Sequence, residues 1–277
     1  MNATTGIFIF LDALALIVTL LPLLPTPSWW SRGGEFPRLQ IAFLIAVLLL
    51  LQMVLLGTAF SAYWIMHGIL LGCLAYQLLW IFPYTPFFRH EVIDASTPVE
   101  RKRCISVLSA NVLMSNRDAE RLGALIARND PDVILLLETD NWWEARMRYL
   151  RDTHPHGLDC PLDNRYGMHL YSRLELENPS VKFLVDDDVP SMHAGVRLPS
   201  GHCVRFHALH PTPPSPVENP TSRERDAEVL VIARAVSKDR CRVIVTGDFN
   251  DVAWSPTTRL FRKISRLLDP RVGRGMF

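Results

Sequence analysis

Five side chains of this sequence stand where an apolar run gives way to polar residues, and their types suit the chemistry of metal ions and phosphates. Asn111 closes CISVLSAN, Glu138 follows VILLL, His210 closes RFHALH, and Asp248 and Asn250 belong to VIVTGDFND. Carboxylates are the hard oxygen donors that Mg²⁺ accepts while keeping most of its waters. An aspartate can orient or deprotonate a water, and imidazole and amide N–H groups can donate to charge building on phosphorus. Gly, Asp and Asn are also what strand ends are made of. VIVTGDFND alone is therefore compatible with a plain turn or with a metal and phosphate site. One rule recurring at several strand ends favours the site, because ligands of an open α/β sheet bind where strand ends converge.

The elements that would carry these residues can be read from the apolar pattern. Cys104–Val112 and Arg242–Thr246 have strand composition, and Val133–Leu137 is a wholly apolar run of the kind buried on both faces. Further strand-like runs lie at Gly167–Tyr171, Val181–Val185, Ala194–Leu198 and Val204–Leu209. Asp118–Asn129 places Leu122, Leu125 and Ile126 on one helical face. Trp142–Leu150 suits a helix, and Ser222–Val236 a longer one with Ser222 at its N-cap. Strands and helices interleave, which predicts one α/β domain over residues 104–277. No internal repeat or low-complexity tract interrupts it.

The first third of the chain is different. Before Arg89 the only acidic or basic side chains are Asp12, Arg32, Glu35 and Arg38, although the whole chain holds 29 Lys and Arg and 28 Asp and Glu. Three apolar stretches, 6–24, 39–57 and 59–82, approach or exceed the roughly 20 residues that cross a hydrocarbon core. Aromatic residues gather near their ends: Trp29 and Trp30, Tyr63 and Trp64, Trp80, Phe82 and Tyr84. A cleaved signal peptide does not suit a start without a basic residue and with two more apolar stretches behind it. Residues 1–84 are thus expected to form a membrane region with three helices, joined to the α/β domain by a Pro-containing linker at 85–103. Arg32, Arg38, Arg89 and the Arg101–Arg103 cluster share one side, so the positive-inside bias places the soluble domain in the cytoplasm of a bacterial-type inner or plasma membrane. The reverse orientation, facing outside or the periplasm, is the alternative. A net charge of +1 gives no sign of a polyanion partner, and nothing signals an oligomer. The five cysteines lack Cys-x-x-Cys spacing, so no structural zinc site is expected and most are read as small buried hydrophobes.

SANV, PDVILLLET, HALHP and VTGDFND, in that order, with Trp254-Ser255-Pro256 after the last, resemble the endonuclease/exonuclease/phosphatase superfamily. That group includes pancreatic deoxyribonuclease, abasic-site endonucleases, sphingomyelinases and inositol polyphosphate 5-phosphatases. The resemblance implies a four-layer α/β sandwich of two packed mixed sheets flanked by helices. It also implies a Mg²⁺ (or Mn²⁺) dependent phosphoesterase whose substrate is a lipid, a small phosphoester or a nucleic acid. By the same resemblance Glu138 is the metal-binding carboxylate with Asn111 beside it. Asp248 would share in metal and water, while Asn250 and His210 contact the phosphoryl oxygens. The family pattern ends in an Asp-containing strand and an Asp-His pair, whereas the last histidine here is His210. The chain is therefore expected to be C-terminally incomplete and nearly inactive on phosphodiesters. The alternative is a catalytically inactive, membrane-tethered binding protein that keeps the fold.

Overall fold

The computed structural model describes residues 3–56, 61–95 and 100–275. Four helices come first: α1 (Ala3–Leu20), a single turn α2 (Trp29–Arg32), α3 (Arg38–Leu55) and α4 (Ser61–Ile81). α1, α3 and α4 are long and apolar enough to cross a membrane. They close on Phe8, Ile41, Ile45, Tyr63, Met66 and Leu70 and leave Phe10, Phe43, Leu44, Val54 and Leu79 exposed, an apolar exterior suited to lipid. Polar side chains meet between the helices. Gln52 Nε2 donates to Asp12 Oδ1 at 2.6 Å, Arg38 Nη1 to Gln77 Oε1 at 2.9 Å, and Gln77 Nε2 to Thr19 Oγ1 at 3.3 Å. Between the first two apolar helices the chain is helical again, α2 followed by a 3₁₀ turn at Gly33–Glu35. The junction of the apolar stretches 39–57 and 59–82, and Ser96, Thr97 and Pro98 of the expected linker, lie outside the described residues.

The remainder contains β1 (Val107–Asn111), α5 (Ala119–Asn129), β2 (Val133–Leu137), α6 (Asn141–Met147), β3 (His156–Cys160), β4 (Met168–Ser172), β5 (Leu176–Phe183), β6 (Pro190–Arg197), β7 (Cys203–Leu209), α7 (Arg223–Lys238), β8 (Arg242–Gly247) and α8 (Pro256–Ser265). Two four-stranded sheets form, in the orders β1-β2-β4-β3 and β5-β6-β7-β8. Each is mixed: β1 and β2 run parallel, as do β7 and β8, and the other pairs are antiparallel. The period of two in β2 explains its unbroken apolar run. Val133, Leu135 and Leu137 enter the layer between the sheets with Met168, Leu170, Met192 and Phe206, while Ile134 and Leu136 meet α5 and α6. On the far side Leu209 packs against Val229, Ile232 and Ala233 of α7 and Phe261 of α8. The result is the four-layer sandwich expected from the motifs.

Several local expectations change. β3, whose sequence HGLDC alternates only at Leu158 and Cys160, and α8 had no reading in the sequence. Leu125 is exposed although Leu122 and Ile126 are buried. Ser222 does cap α7 by position, but its hydroxyl donates to Asp226 Oδ2 instead of accepting a backbone N–H. Of the cysteines only Cys73 is buried.

Under α7 a histidine pair is built into the second sheet. The Ser191 hydroxyl donates to the Lys182 carbonyl at 3.0 Å, so it accepts from His193 Nε2 at 2.9 Å. That leaves His193 Nδ1 bare, to accept the Nδ1–H of His207 at 2.7 Å. A second proton would set two N–H groups against each other. Burial first, then His207 and Lys182, push His193 down to about 3, and burial with Arg205 pushes His207 down to about 4. Both groups lie below their unfolded value, so the stability they contribute is present above pH 6.5 and is lost as pH falls from there toward 3. His193→Gln should flatten the fall of thermal midpoint between pH 6.5 and 4, by at least about one proton's worth of slope. An unchanged slope in a melt series across that range would contradict the assignment.

Candidate active site

The five residues singled out in the sequence meet at one end of the sandwich, where the C-terminal ends of β1, β2, β7 and β8 converge. Asn111 ends β1, Glu138 and Thr139 follow β2, His210 follows β7, and Asp248 follows β8. Asn111 joins the two sheets. Its Nδ2 donates to Glu138 Oε1 at 2.7 Å and to Asp248 Oδ2 at 3.1 Å, while its Oδ1 accepts the Leu113 N–H at 3.0 Å. The Leu113 N–H fixes which way the amide faces, since the reverse would turn an oxygen on two carboxylates. Met114 N adds a longer contact to Glu138 Oε2 at 3.4 Å. Among the described residues neither Glu138 nor Asp248 has a Lys, Arg or His within ion-pair distance. Two carboxylates thus share one amide N–H₂ group with no balancing cation of the protein.

Backbone geometry aims these groups. Glu138 (φ 60°), Leu113 (57°), Arg165 (72°) and Asn250 (49°) all adopt left-handed conformations around the mouth. Each costs on the order of 1 kcal/mol and persists only where surroundings enforce it. Gly247 has φ 137°, and a Cβ there would stand 1.9 Å from the Leu209 carbonyl oxygen. Only glycine lets β8 pass β7 that closely before turning into Asp248. Asp248 Oδ1 then accepts the Asn250 N–H at 3.0 Å, an Asx turn, and Asn250 Nδ2 donates to the Pro211 carbonyl at 2.9 Å. That contact ties the GDFN turn to the residue after His210 and leaves one amide hydrogen of Asn250 uncommitted.

His210 is 3% exposed, its Nδ1 has no hydrogen-bond partner, and its ring lies against Tyr166 with centroids 5.3 Å apart. Burial lowers its pKa, against the opposing pull of Asp248, Glu138 and Glu218. A neutral imidazole facing two carboxylates is therefore available to donate or accept a proton. Tyr166 donates to Glu218 Oε2 at 3.1 Å, and Arg165 approaches Glu218 Oε1 at 3.5 Å. On the other flank Arg117 makes a two-pronged pair with Asp140, which holds the Asp140 carboxyl below its usual range. The cations at the rim are thus already matched by acids. Leu113 (55% exposed) and Val217 (92%) give that rim apolar character.

Sequence reasoning missed the support beneath Asn250. Arg225 of α7, 1% exposed, donates to the Asn250 carbonyl at 2.9 Å, pairs with Asp226 at 2.8 Å, and lies 3.4 Å from Asp251 Oδ1. Asp251 is the last residue of GDFND. Its side chain is 3% exposed, and it accepts the Ser255 hydroxyl at 2.5 Å. Burial raises its pKa and Arg225 opposes the rise. This support reaches the first third of the chain. Trp254 Nε1 donates to the Glu35 carbonyl at 2.7 Å, Trp29 N to the Pro220 carbonyl at 3.0 Å, and Ser222 N to the Pro27 carbonyl at 2.8 Å. Glu35 is buried, and burial, with Asp251 adding to it and Arg32 opposing, pushes its carboxyl up to about 7. The segment between α1 and α3 is therefore packed against the loops that carry His210 and Asn250. Position within a quoted motif marked Asp251, but nothing local to RERDAE marked Arg225.

Breaking a buried pair leaves an uncompensated charge, at a cost of about 3–5 kcal/mol. Arg225→Gln should lower the thermal midpoint sharply, and Arg225→Lys should recover little, because an ammonium lacks the fork that reaches Asp226, Asp251 and Asn250 together. A melt of Arg225→Gln indistinguishable from wild type would remove Arg225 from this role.

Residues 108–276 match the family described as Endonuclease/Exonuclease/phosphatase family, which is more than half of the chain. Among solved structures, D. rerio TDP2 complexed with single strand DNA product aligns at 17% identity and a TM-score of 0.48, over 56% of this chain and 64% of that one. The human Nocturnin catalytic domain with bound sulfate anion aligns at 18% and 0.47, over 58% and 70%. An endonuclease/exonuclease/phosphatase from Beutenbergia cavernae DSM 12333 aligns at 18% and 0.44, over 57% and 52%. The chain spans less than two thirds of the TDP2 chain. No curated protein sequence matches it.

Proposed function

We propose, on the premise that the chain belongs to the Endonuclease/Exonuclease/phosphatase family, that it is a divalent-cation-dependent phosphoesterase held at a membrane by α1, α3 and α4. The observation that carries this reading is the pair of carboxylates, Glu138 and Asp248, sharing the Asn111 amide without a cation of the protein. No group of three or more His, Cys, Asp and Glu that could hold a metal occurs among the described residues, so a zinc-type cage does not fit. Two carboxylates do fit Mg²⁺ or Mn²⁺, which bind through one or two carboxylates, several waters and substrate phosphate. Glu138 would be the principal holder, with Asp248 and Asn111 beside it as the other candidates.

When bound, the cation supplies Lewis-acid polarisation of the phosphoryl oxygens. The protein's own residues do the rest. Asp248, fixed by the Asn250 N–H and the Asn111 amide, orients and deprotonates the attacking water. The remaining Asn250 amide hydrogen and the buried His210 donate to charge developing on phosphorus. Groups fixed in advance around the reacting phosphorus are what phosphoryl transfer requires.

A lipid or other small phosphoester suits the rim better than a nucleic acid. The His210–Asn219 loop carries no Lys or Arg, and Arg117 and Arg165 are matched by Asp140 and Glu218. A polyanion needs unmatched cations along its path. The anchoring is supported by three apolar helices and by the segment between α1 and α3 packing on the site's loops. The cytoplasmic orientation remains the reading of the basic residues in the sequence.

The test is hydrolysis of a chromogenic phosphodiester by the full chain in detergent. The rate, though low, should rise saturably with Mg²⁺, vanish with EDTA, and fall further, by about 10²-fold or more, in Asp248→Asn. A rate indifferent to EDTA, or unchanged in Asp248→Asn, would overturn the reading.

A further inference from the structure

A second concentration of charge lies away from the candidate active site, on α8. This helix buries Thr257, Phe261 and Ser265. Arg259, Lys263 and Arg266, spaced by four and three residues, are exposed, with Arg262 beside them. These four cations, with Leu267 and Leu268, line an open groove of about 370 Å³. The one acid in the groove, Glu91, is spent on Arg262 at 2.5 Å. Arg259, Lys263 and Arg266 have no carboxylate within ion-pair distance among the described residues. Three unmatched cations on one face repel one another, and a bound anion relieves that repulsion.

The groove's position says which anion. The Arg259 guanidinium stacks over the Trp80 ring at 4.4 Å, and Arg262 approaches the Tyr84 hydroxyl at 3.4 Å. Trp80 lies in the last turn of α4, and Tyr84 ends the apolar stretch that α4 begins. The basic face of α8 is thus pinned to the end of a candidate membrane span, at the level where headgroups lie. Leu260 and Leu268 beside it, Phe82 near the end of the span and Phe87 just beyond it are exposed apolar side chains of the kind that settle among headgroups and upper acyl chains. A nucleic acid at this level would collide with the bilayer around α4.

We propose that the α8 groove binds the phosphate headgroups of anionic phospholipids in the leaflet at the C-terminal end of α4. The proposal rests on the membrane reading of α1, α3 and α4. It gives α8 a role separate from catalysis: it fixes the height and tilt of the domain, and with them the height of the active-site mouth above the lipid.

The full chain in neutral detergent micelles would be titrated with phosphatidylglycerol or phosphatidylcholine carrying brominated acyl chains. Quenching of tryptophan emission reports lipid contact. Each basic side chain near an anionic surface is worth about fivefold in affinity. Wild type should therefore half-saturate with phosphatidylglycerol at a concentration at least about tenfold lower than with phosphatidylcholine. The triple variant Arg259→Gln, Lys263→Gln, Arg266→Gln should lose that preference while keeping its melting profile, and Lys263→Arg should retain it. Millimolar inorganic phosphate or a short oligonucleotide should leave the quenching in place. Equal half-saturation in wild type, an undiminished preference in the triple variant, or displacement by either soluble anion would overturn the proposal. Absence of quenching by both lipids would overturn the membrane reading on which it rests.

Discussion

Two carboxylates held against one amide are the constraint from which the rest of this fold can be understood. Glu138 comes from one sheet and Asp248 from the other, and Asn111 Nδ2 reaches both. Like charges placed this close repel unless something positive joins them. The fold brings them together through the packed layer of Leu135, Leu137, Met168 and Phe206, which fixes the spacing of the sheets. The Gly247 contact with Leu209 then fixes where β8 releases the chain. Left-handed backbone at Glu138 and Asn250 completes the aim. Packing thus sets two carboxylates around one amide at one end of the sandwich, an arrangement that a divalent cation would suit.

Behind this arrangement lies a second layer that faces the apolar helices. Asp251 and Arg225 hold the carbonyl of Asn250, and Trp254, three residues beyond Asp251, reaches the carbonyl of Glu35. Ser28 and Thr221 form an antiparallel bridge. The loops bearing His210 and Asn250 are therefore clamped between α7 and the segment joining α1 to α3. A change in how the apolar helices sit would be felt at Asn250 through hydrogen bonds already in place, with no flexible tether between.

Much of this was legible in the sequence. The apolar stretches announced three long helices because a hydrocarbon-length run without charge has few other uses. VILLL announced a strand covered on both faces, and GDFND, placed after VIVT, announced a polar strand end. What was not legible has a common cause, namely dependence on distant partners. Arg225 reads as one more charge on an exposed helix until α7 is laid against Asp251. His193 and His207 sit in ordinary strand positions, and only the register of β6 and β7 makes them opposite partners. β3 offers only Leu158 and Cys160 as an apolar alternation, too short a pattern to announce the strand before its pairing with β4 at the edge of a sheet is seen. Leu125 satisfies helical spacing yet falls just outside the face that α5 buries.

Glu138 and Asp248 are proposed to hold a divalent cation together, and calorimetric titration of Mn²⁺ into the full chain, into Glu138→Gln and into Asp248→Asn measures this. Wild type should bind saturably, near one ion per chain, with each variant weakened by about tenfold or more, since removing one of two anionic ligands forfeits most of the charge complementarity. Equal affinity in wild type and Glu138→Gln would contradict it.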